Sequence, residues 1–548
     1  MHHFFTRAIA LATAAAFSLF PVSPAFANDN DNGDTSIPIK HLVVIFQENV
    51  SFDHYFGTYP NAANPAGEPT FRAKRNTPSV NGLSLALLTN NPNLNPANGA
   101  GATNPFRLDR SQAVTRDQGH GYLAEQQAFD NGVMDLFPKF VGKSGPPPAA
   151  GAPVTSTTGL NLGFFDGNTV TAMWNYAQHF AMSDNSYSTG FGPSTPGALN
   201  LISGQTNGAI NASTAMFAVV DGGAGSLTDV SDADPAGDVC SSSATFTMKG
   251  QNVGNLLHAA GVTWGSFMGG FDLTAVNSNG TAGCKRSSAG LPGTTADYIP
   301  HHAWFQYYAS TANPAHTRPA SVAEIGHDGP ANHNYDLHDF YDAVSAGNFP
   351  AVSFLKAQAF QDGHAGYSDP LDEQTFLVNV INFLQSRREW NSTAVVIMYD
   401  DSDGWYDHQI GPILNQSHGA ADALTGRDLV AGLGTCGSSA DSTALPGVDS
   451  VNTHALGRCG LGPRQPLLVV SPWARRNFVD HSVTDQSSVL RFIEDNWLQG
   501  QRIGQGSFDA ITNSITQMFN FNRDDDDQGN RTLLLDPLTG QILNQNNQ

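Results

Sequence analysis

At 548 residues with 40% hydrophobic content, the chain can bury a core large enough for one elaborate α/β domain or for two or three smaller ones. Its formal net charge of -22 argues against a nucleic-acid backbone as the main partner, because such binding draws on basic patches that release counterions. An anionic substrate would need local positive charge, which a bound cation can supply.

The N-terminus carries one early cation, Arg7, then an apolar run from Ala8 to Phe20 and the small-x-small triplet Ala25-Phe26-Ala27. This is the pattern of a signal peptide over 1–27, followed by a flexible stretch over 28–36, and it implies a secreted or periplasmic protein. The apolar run is shorter than the roughly 20 residues of a membrane helix, so no integral membrane anchor is expected. Leu42 to Phe46, Val352 to Leu355, Thr393 to Tyr399 and Leu467 to Ser471 read as largely apolar strands that suit a sheet covered on both faces. Helical patterns lie between and after them: Val253 to Ala260, Gln374 to Arg388, and Ser487 to Gln499 behind a cap at Thr484. Alternation of this kind predicts an α/β fold with a mostly parallel central sheet and helices on both faces, whose ligands bind beyond the carboxyl ends of the strands.

Stretches rich in Gly, Pro, Asn and Ser, at Pro60 to Asn104, Gly142 to Thr158, Gly222 to Ser243 and Asn415 to Ala455, read as long loop insertions on one catalytic domain over 37–500. Residues 501–548 form a C-terminal extension, whose acidic run Asp524 to Asp527 is a solvated turn or a weak cation site. Four cysteines fit an oxidising compartment and allow three pairings. Cys240 with Cys284 and Cys436 with Cys459 is the favoured set, since each pair closes one Gly- and Ser-rich insertion.

Four segments carry candidate chemistry. Glu48-Asn49 directly follows the first strand, where a carboxylate beside an amide offers two oxygen ligands to a hard cation. Asp400-Asp401 follows another strand, and two adjacent aspartates there repel each other unless a cation or hydrogen-bond donors compensate. In Gly192-Pro193-Ser194-Thr195-Pro196, Pro196 suits the first residue of a helix capped by Thr195 or Ser194, which would set a hydroxyl among free N–H groups that attract anions. His120, His301, His302 and His364 lie in or beside turns and could bind phosphate oxygens or protonate a leaving alkoxide. Asp407 and His408 are weaker candidates for the same site as Asp400-Asp401, with shaping of the turn as the alternative. His327, His333 and His338 are spread like a metal tract, though their spacing fits no standard site.

Together, Glu48-Asn49 with Ser51-Phe52-Asp53, Gly192-Pro193-Ser194, His301-His302, Asp362-Gly363-His364, Asp400-Asp401 and Thr484-Asp485-Gln486-Ser487-Ser488 resemble the bacterial phosphoesterase family of acid phosphatases and phospholipases C, similar in fold to alkaline phosphatase. The resemblance runs from about Ile39 to Trp497. It implies that Glu48, Asn49, Asp400 and Asp401 hold one divalent metal ion, with calcium, magnesium, manganese and iron all compatible with oxygen ligands. It further implies that Ser194 is both ligand and nucleophile, forming a phosphoseryl intermediate, and that His120, His302 and His364, with His301 beside them, surround the substrate phosphate. His302 or His364 would protonate the departing alcohol. Val50 stands where the family often has a basic residue or histidine. Within the family, phospholipases often carry threonine at the nucleophile position, a twin-arginine signal and further C-terminal β domains. Ser194, the single Arg7 and the short tail therefore point to a secreted acid phosphatase acting on phosphate monoesters. A phospholipase C acting on a phospholipid headgroup is the alternative, and a non-enzymatic calcium-stabilised binding protein is a third reading.

Overall fold

Strands whose consecutive residues are all apolar must be covered on both faces, and that requirement shapes the centre of the molecule. The computed structural model describes residues 35–142, 155, 158–210, 219–221, 227–414, 459–522 and 531–543. Its main sheet has nine strands: β1 (His41–Gln47), β2 (Ala181–Tyr187), β3 (Trp264–Met268), β4 (Asn334–Asp336), β5 (Val352–Lys356), β6 (Thr393–Tyr399), β7 (Arg464–Val470), β8 (Phe478–Asp480) and β9 (Thr484–Asp485). The spatial order is β4-β3-β5-β1-β6-β7-β2-β8, with β9 also paired to β2. Within this sheet β7 alone runs against the rest. Every residue of β1, β5, β6 and β7 is buried, as double-sided cover requires.

The helices used below are α1 (Phe52–Phe56), α2 (Thr171–His179), α3 (Ser194–Ser203), α4 (Val253–Ala259), α5 (Leu337–Ser345), α6 (Pro370–Gln385) and α7 (Ser488–Trp497). Three of their starts differ from the sequence reading. α6 begins at Pro370 because the Asp369 side chain accepts from the N–H groups of Leu371 and Asp372, with proline at the first helical position. α7 begins behind Ser487 and not behind Thr484, which is held in β9 opposite Ser186. α3 begins at Ser194 itself: Pro193 occupies the cap position, so neither Ser194 nor Thr195 caps the helix and Pro196 lies inside its first turn.

Part of one expected insertion is also ordered structure. Leu227–Asp229 and Asp234–Pro235, inside the Gly222 to Ser243 stretch, join a second sheet of five strands with Asn207–Ile210, Val219–Asp221 and Thr245–Met248. Short strands with few apolar residues left no periodic signal there. The Cys240–Cys284 disulfide forms, but it spans Thr245–Met248, α4 and β3 and so closes more than the insertion expected. Beyond residue 500, Ile503, Ile515, Met518, Phe519, Leu533 and Leu535 are buried in the same core as the main sheet. The segments 1–34, most of Gly142 to Thr158, Asn415 to Ala455 with Cys436, and Asp524 to Asp527 lie outside the described residues. No described helix is long and apolar enough to cross a membrane.

Candidate active site

The site grows from two neighbouring strand ends. β1 and β6 pair in parallel with Gln47 opposite Tyr399, so the next residues, Glu48 and Asp400, leave the sheet side by side. The backbone then ties the two turns together: Asn49 N–H donates to Asp400 Oδ1 at 3.0 Å and Val50 N–H to the Asp401 carbonyl at 2.9 Å. Glu48 N–H donates to the Asp362 carbonyl at 2.8 Å, adding the turn after β5 to the cluster. Asn49 sits at φ 59, a left-handed conformation that asparagine tolerates better than most residues.

The third contribution comes from β2, which runs the same way and delivers residues 188–193 to the same edge of the sheet. Ser194, the first residue of α3, places its hydroxyl 3.1 Å from Glu48 Oε2 and 3.0 Å from Asp401 Oδ2, and can donate its one proton to either. The first turn of α3 reaches this depth because Gly197 rests directly on the Asp400 backbone, where a Cβ would come within 2.3 Å of the Asp400 carbonyl oxygen. From the other side Gln486 Nε2 donates to that same carbonyl at 2.5 Å. The five residues Glu48, Asn49, Ser194, Asp400 and Asp401, far apart in sequence, thus converge, and all are buried.

Burial, with Asp400 alongside, pushes the Asp401 carboxyl well above the usual carboxylate range. The carboxyl of Asp362 is raised for the same reason, partly offset by Lys356. Both side-chain atoms of Asn49 are buried without a hydrogen-bond partner. Crowded buried carboxylates beside an amide oxygen with no donor to accept from are a donor set that fits a hard divalent cation.

The histidines divide into three environments. His302 Nδ1 lies 3.1 Å from Glu48 Oε1, and burial next to His301 and His364 pushes its pKa well down. His364, also lowered by burial, packs its ring 5.9 Å from that of His120. Burial works against charging His120, yet Asp401, Asp403 and Asp117 outweigh it and hold its pKa well above the ordinary value. Its Nδ1 donates towards Asp403 Oδ1 at 3.0 Å and the Gln118 carbonyl at 3.1 Å. His301 turns its Nδ1 towards Asp234, 3.7 Å away, while its carbonyl accepts from Thr195 Oγ1.

Residues 39–498 match the Phosphoesterase family. The chain belongs to that family. A non-hemolytic phospholipase C of Pseudomonas aeruginosa is 25% identical over 487 residues, which cover 88% of this chain and 57% of that protein. Phospholipase C B of Mycobacterium tuberculosis is 22% identical over 533 residues, covering 94% of this chain and 85% of its own length. The chain therefore spans little more than half the length of the Pseudomonas relative. Among solved structures, an alkaline phosphatase superfamily protein from Vibrio parahaemolyticus covers 75% of each chain at 11% identity with a TM-score of 0.26, a likeness too loose to bear on the site.

Several residues around this site escaped the sequence reading or were given lesser roles in it. Lys356, the last residue of β5, pairs with Glu48 Oε1, and only its place at the end of an apolar strand could have hinted at it. Glu125 accepts from Gly192 N–H at 2.9 Å and Ser402 Oγ at 2.8 Å, bridging the turn before Ser194 to the turn after β6; burial pushes its carboxyl up to about 7. Asp407 and His408 belong to a buried network behind these turns. Arg464 Nε donates to Asp407 at 3.1 Å, its Nη2 to Asp53 Oδ1 at 3.1 Å and its Nη1 to the carbonyls of Asn81 and Asp184 at 2.7 and 2.9 Å, while His408 Nδ1 donates to Asp53 Oδ2 at 2.6 Å.

Proposed function

We propose that this chain hydrolyses phosphate diesters in the manner of a phospholipase C, with Ser194 as nucleophile. The observation that carries the reading is the Ser194 hydroxyl held 3.0–3.1 Å from two carboxylates, beside a donor set that suits a cation, in a member of the Phosphoesterase family. A divalent ion held by Glu48, Asn49, Ser194, Asp400 and Asp401 would lower the hydroxyl pKa and offset charge on the phosphoryl oxygens. Either Glu48 or Asp401 accepts the single hydroxyl proton as Ser194 Oγ attacks phosphorus in line; the bond from phosphorus to the leaving alkoxide breaks, and water then hydrolyses the phosphoseryl intermediate. In place of His302 or His364, His120 is the better donor to the leaving alkoxide, because Asp401, Asp403 and Asp117 hold its pKa up whereas burial lowers those of the other two, which line the pocket. Loose phosphoryl-transfer transition states depend chiefly on positioning and charge stabilisation, which rigid burial of these groups favours.

The relatives named above favour the diester reading over the monoesterase expected from the sequence. The monoester reading keeps one specific support, serine where phospholipases of the family often carry threonine. Purified protein, assayed side by side on an aryl phosphate, an aryl phosphocholine diester and phosphatidylcholine vesicles, separates the two. Diester cleavage with diacylglycerol release, lost by at least about a thousandfold in Ser194→Ala, is the expected result. Phosphate release from monoesters alone would assign the phosphatase instead, and full activity in Ser194→Ala would remove the nucleophile.

A further inference from the structure

At the opposite end of the sheet from Ser194, three side chains from separate segments meet around one point. Trp264 opens β3 and His333 directly precedes β4, so both lie at the amino ends of these strands, whereas the carboxylate cluster lies at the carboxyl ends. At about 3.3 Å per residue, the length of β3 alone separates the two sites by roughly 15 Å. His258, in the last turn of α4, brings Nδ1 to 3.0 Å from Asp328 Oδ1. His333 Nε2 lies 3.6 Å from the same oxygen, and all three donor atoms fall within 4.8 Å of one another. Zinc bound at about 2.0–2.1 Å in a tetrahedron separates its ligands by roughly 3.3 Å, close to the 3.0 and 3.6 Å spacings from Asp328 to the two imidazoles.

His333 is prepared for such a role. Its Nδ1 lies 2.9 Å from the Trp264 carbonyl, an acceptor that fixes the proton on Nδ1 and leaves a lone pair on Nε2. The ring stacks on Trp264 at 4.3 Å and 11°, and the residue is held at φ 63, where a non-glycine residue is uncommon. The three donors line an open cleft of about 340 Å³ whose wall also includes His327, leaving room for a fourth ligand or water. An exposed His258–Asp328 ion pair would account for one contact, but not for a buried imidazole with its second nitrogen aimed at the same carboxylate.

We propose that His258, Asp328 and His333 form a second metal site, selective for zinc-like ions that accept imidazole nitrogen, and distinct in chemistry from the all-oxygen cluster at Ser194. Bound metal would cross-link the end of α4 to the loop ahead of β4 and stabilise that edge of the sheet. Of the three imidazoles in the sequence tract, His327 lines this cleft, His333 ligates, and His338 instead pairs through Nδ1 with Asp336 at 3.0 Å.

The test compares the intact protein with His258→Ala and Asp328→Asn, both at exposed positions, so folding is not at stake. Each protein is dialysed against zinc chloride, and its zinc content and thermal midpoint are measured; cobalt(II) serves as an absorption probe of tetrahedral nitrogen ligation. The intact protein should retain one more zinc than either variant, show a zinc-dependent rise in midpoint that both variants lose, and bind zinc at this site at least about tenfold more tightly than either variant. Hydrolytic activity should be the same in all three. Equal zinc content in the intact protein and His258→Ala would overturn the proposal.

Discussion

Replacing Gly197 by alanine tests whether the contact between α3 and the Asp400 turn sets the geometry around Ser194. The added Cβ would lie 2.3 Å from the Asp400 carbonyl oxygen and 2.8 Å from its C and Cα, whereas ordinary van der Waals contact begins at 3.4 Å. Helix and turn must therefore separate by about 1 Å, an overpacking strain that costs about 1–3 kcal/mol of stability. No flexible side chain can absorb the shift, because the opposing atoms are backbone and Gln486 pins the same carbonyl from behind. Ser194 would then move by a similar distance relative to Glu48 and Asp401. A misplacement of that size lowers kcat/KM by about a hundredfold, equivalent to about 2.7 kcal/mol. The assay is steady-state hydrolysis of an aryl phosphodiester, accompanied by a circular-dichroism melt to establish that the variant is folded. A folded Gly197→Ala protein with kcat/KM within about threefold of the parent would refute this account of the site's rigidity.

Arg464→Met leaves Asp53 and Asp407 buried without their guanidinium, and urea unfolding should show a loss of about 3–5 kcal/mol, with part of the activity lost as the turn after β6 loosens. The Asp238 carboxyl is buried, which by itself would raise its pKa. Hydrogen bonds from His316 at 3.0 Å, Tyr298 at 2.6 Å and the Cys240 N–H at 2.8 Å hold it below the ordinary value instead. A depressed carboxylate contributes stability that is complete above the unfolded pKa, near 4, and is lost as pH falls through the lower folded one. Thermal midpoints measured from pH 6 down to pH 2 should therefore fall less steeply in Asp238→Asn than in the parent protein, from a lower starting value. Replacing Cys240 and Cys284 together by serine opens a loop with a sequence separation of 44, and unfolding measurements should show a loss of about 2–4 kcal/mol. An unchanged midpoint would mean that the loop is held by its other contacts.

Local chemistry was legible without coordinates. β1 and β6 announced themselves because uninterrupted apolar runs can be buried only inside a sheet covered on both faces, and Glu48, Asn49, Asp400 and Asp401 were conspicuous because they follow such runs directly. Ser194 was identifiable from its turn, although its role in the helix was misplaced: the hydroxyl faces carboxylates and caps nothing. Tertiary structure alone decided what depends on register and on distant partners. The pairing of Gln47 with Tyr399 sets Glu48 beside Asp400, and the direction of β2 carries Ser194 to the same edge. Lys356, Glu125 and Arg464 acquire meaning only from partners hundreds of residues away or across a turn that no periodicity reveals. The same holds for His258, 75 residues before His333, because strand order, not spacing along the chain, determines which donors meet. Composition and period fix which segments are buried; which buried segments become neighbours follows from packing the whole sheet at once.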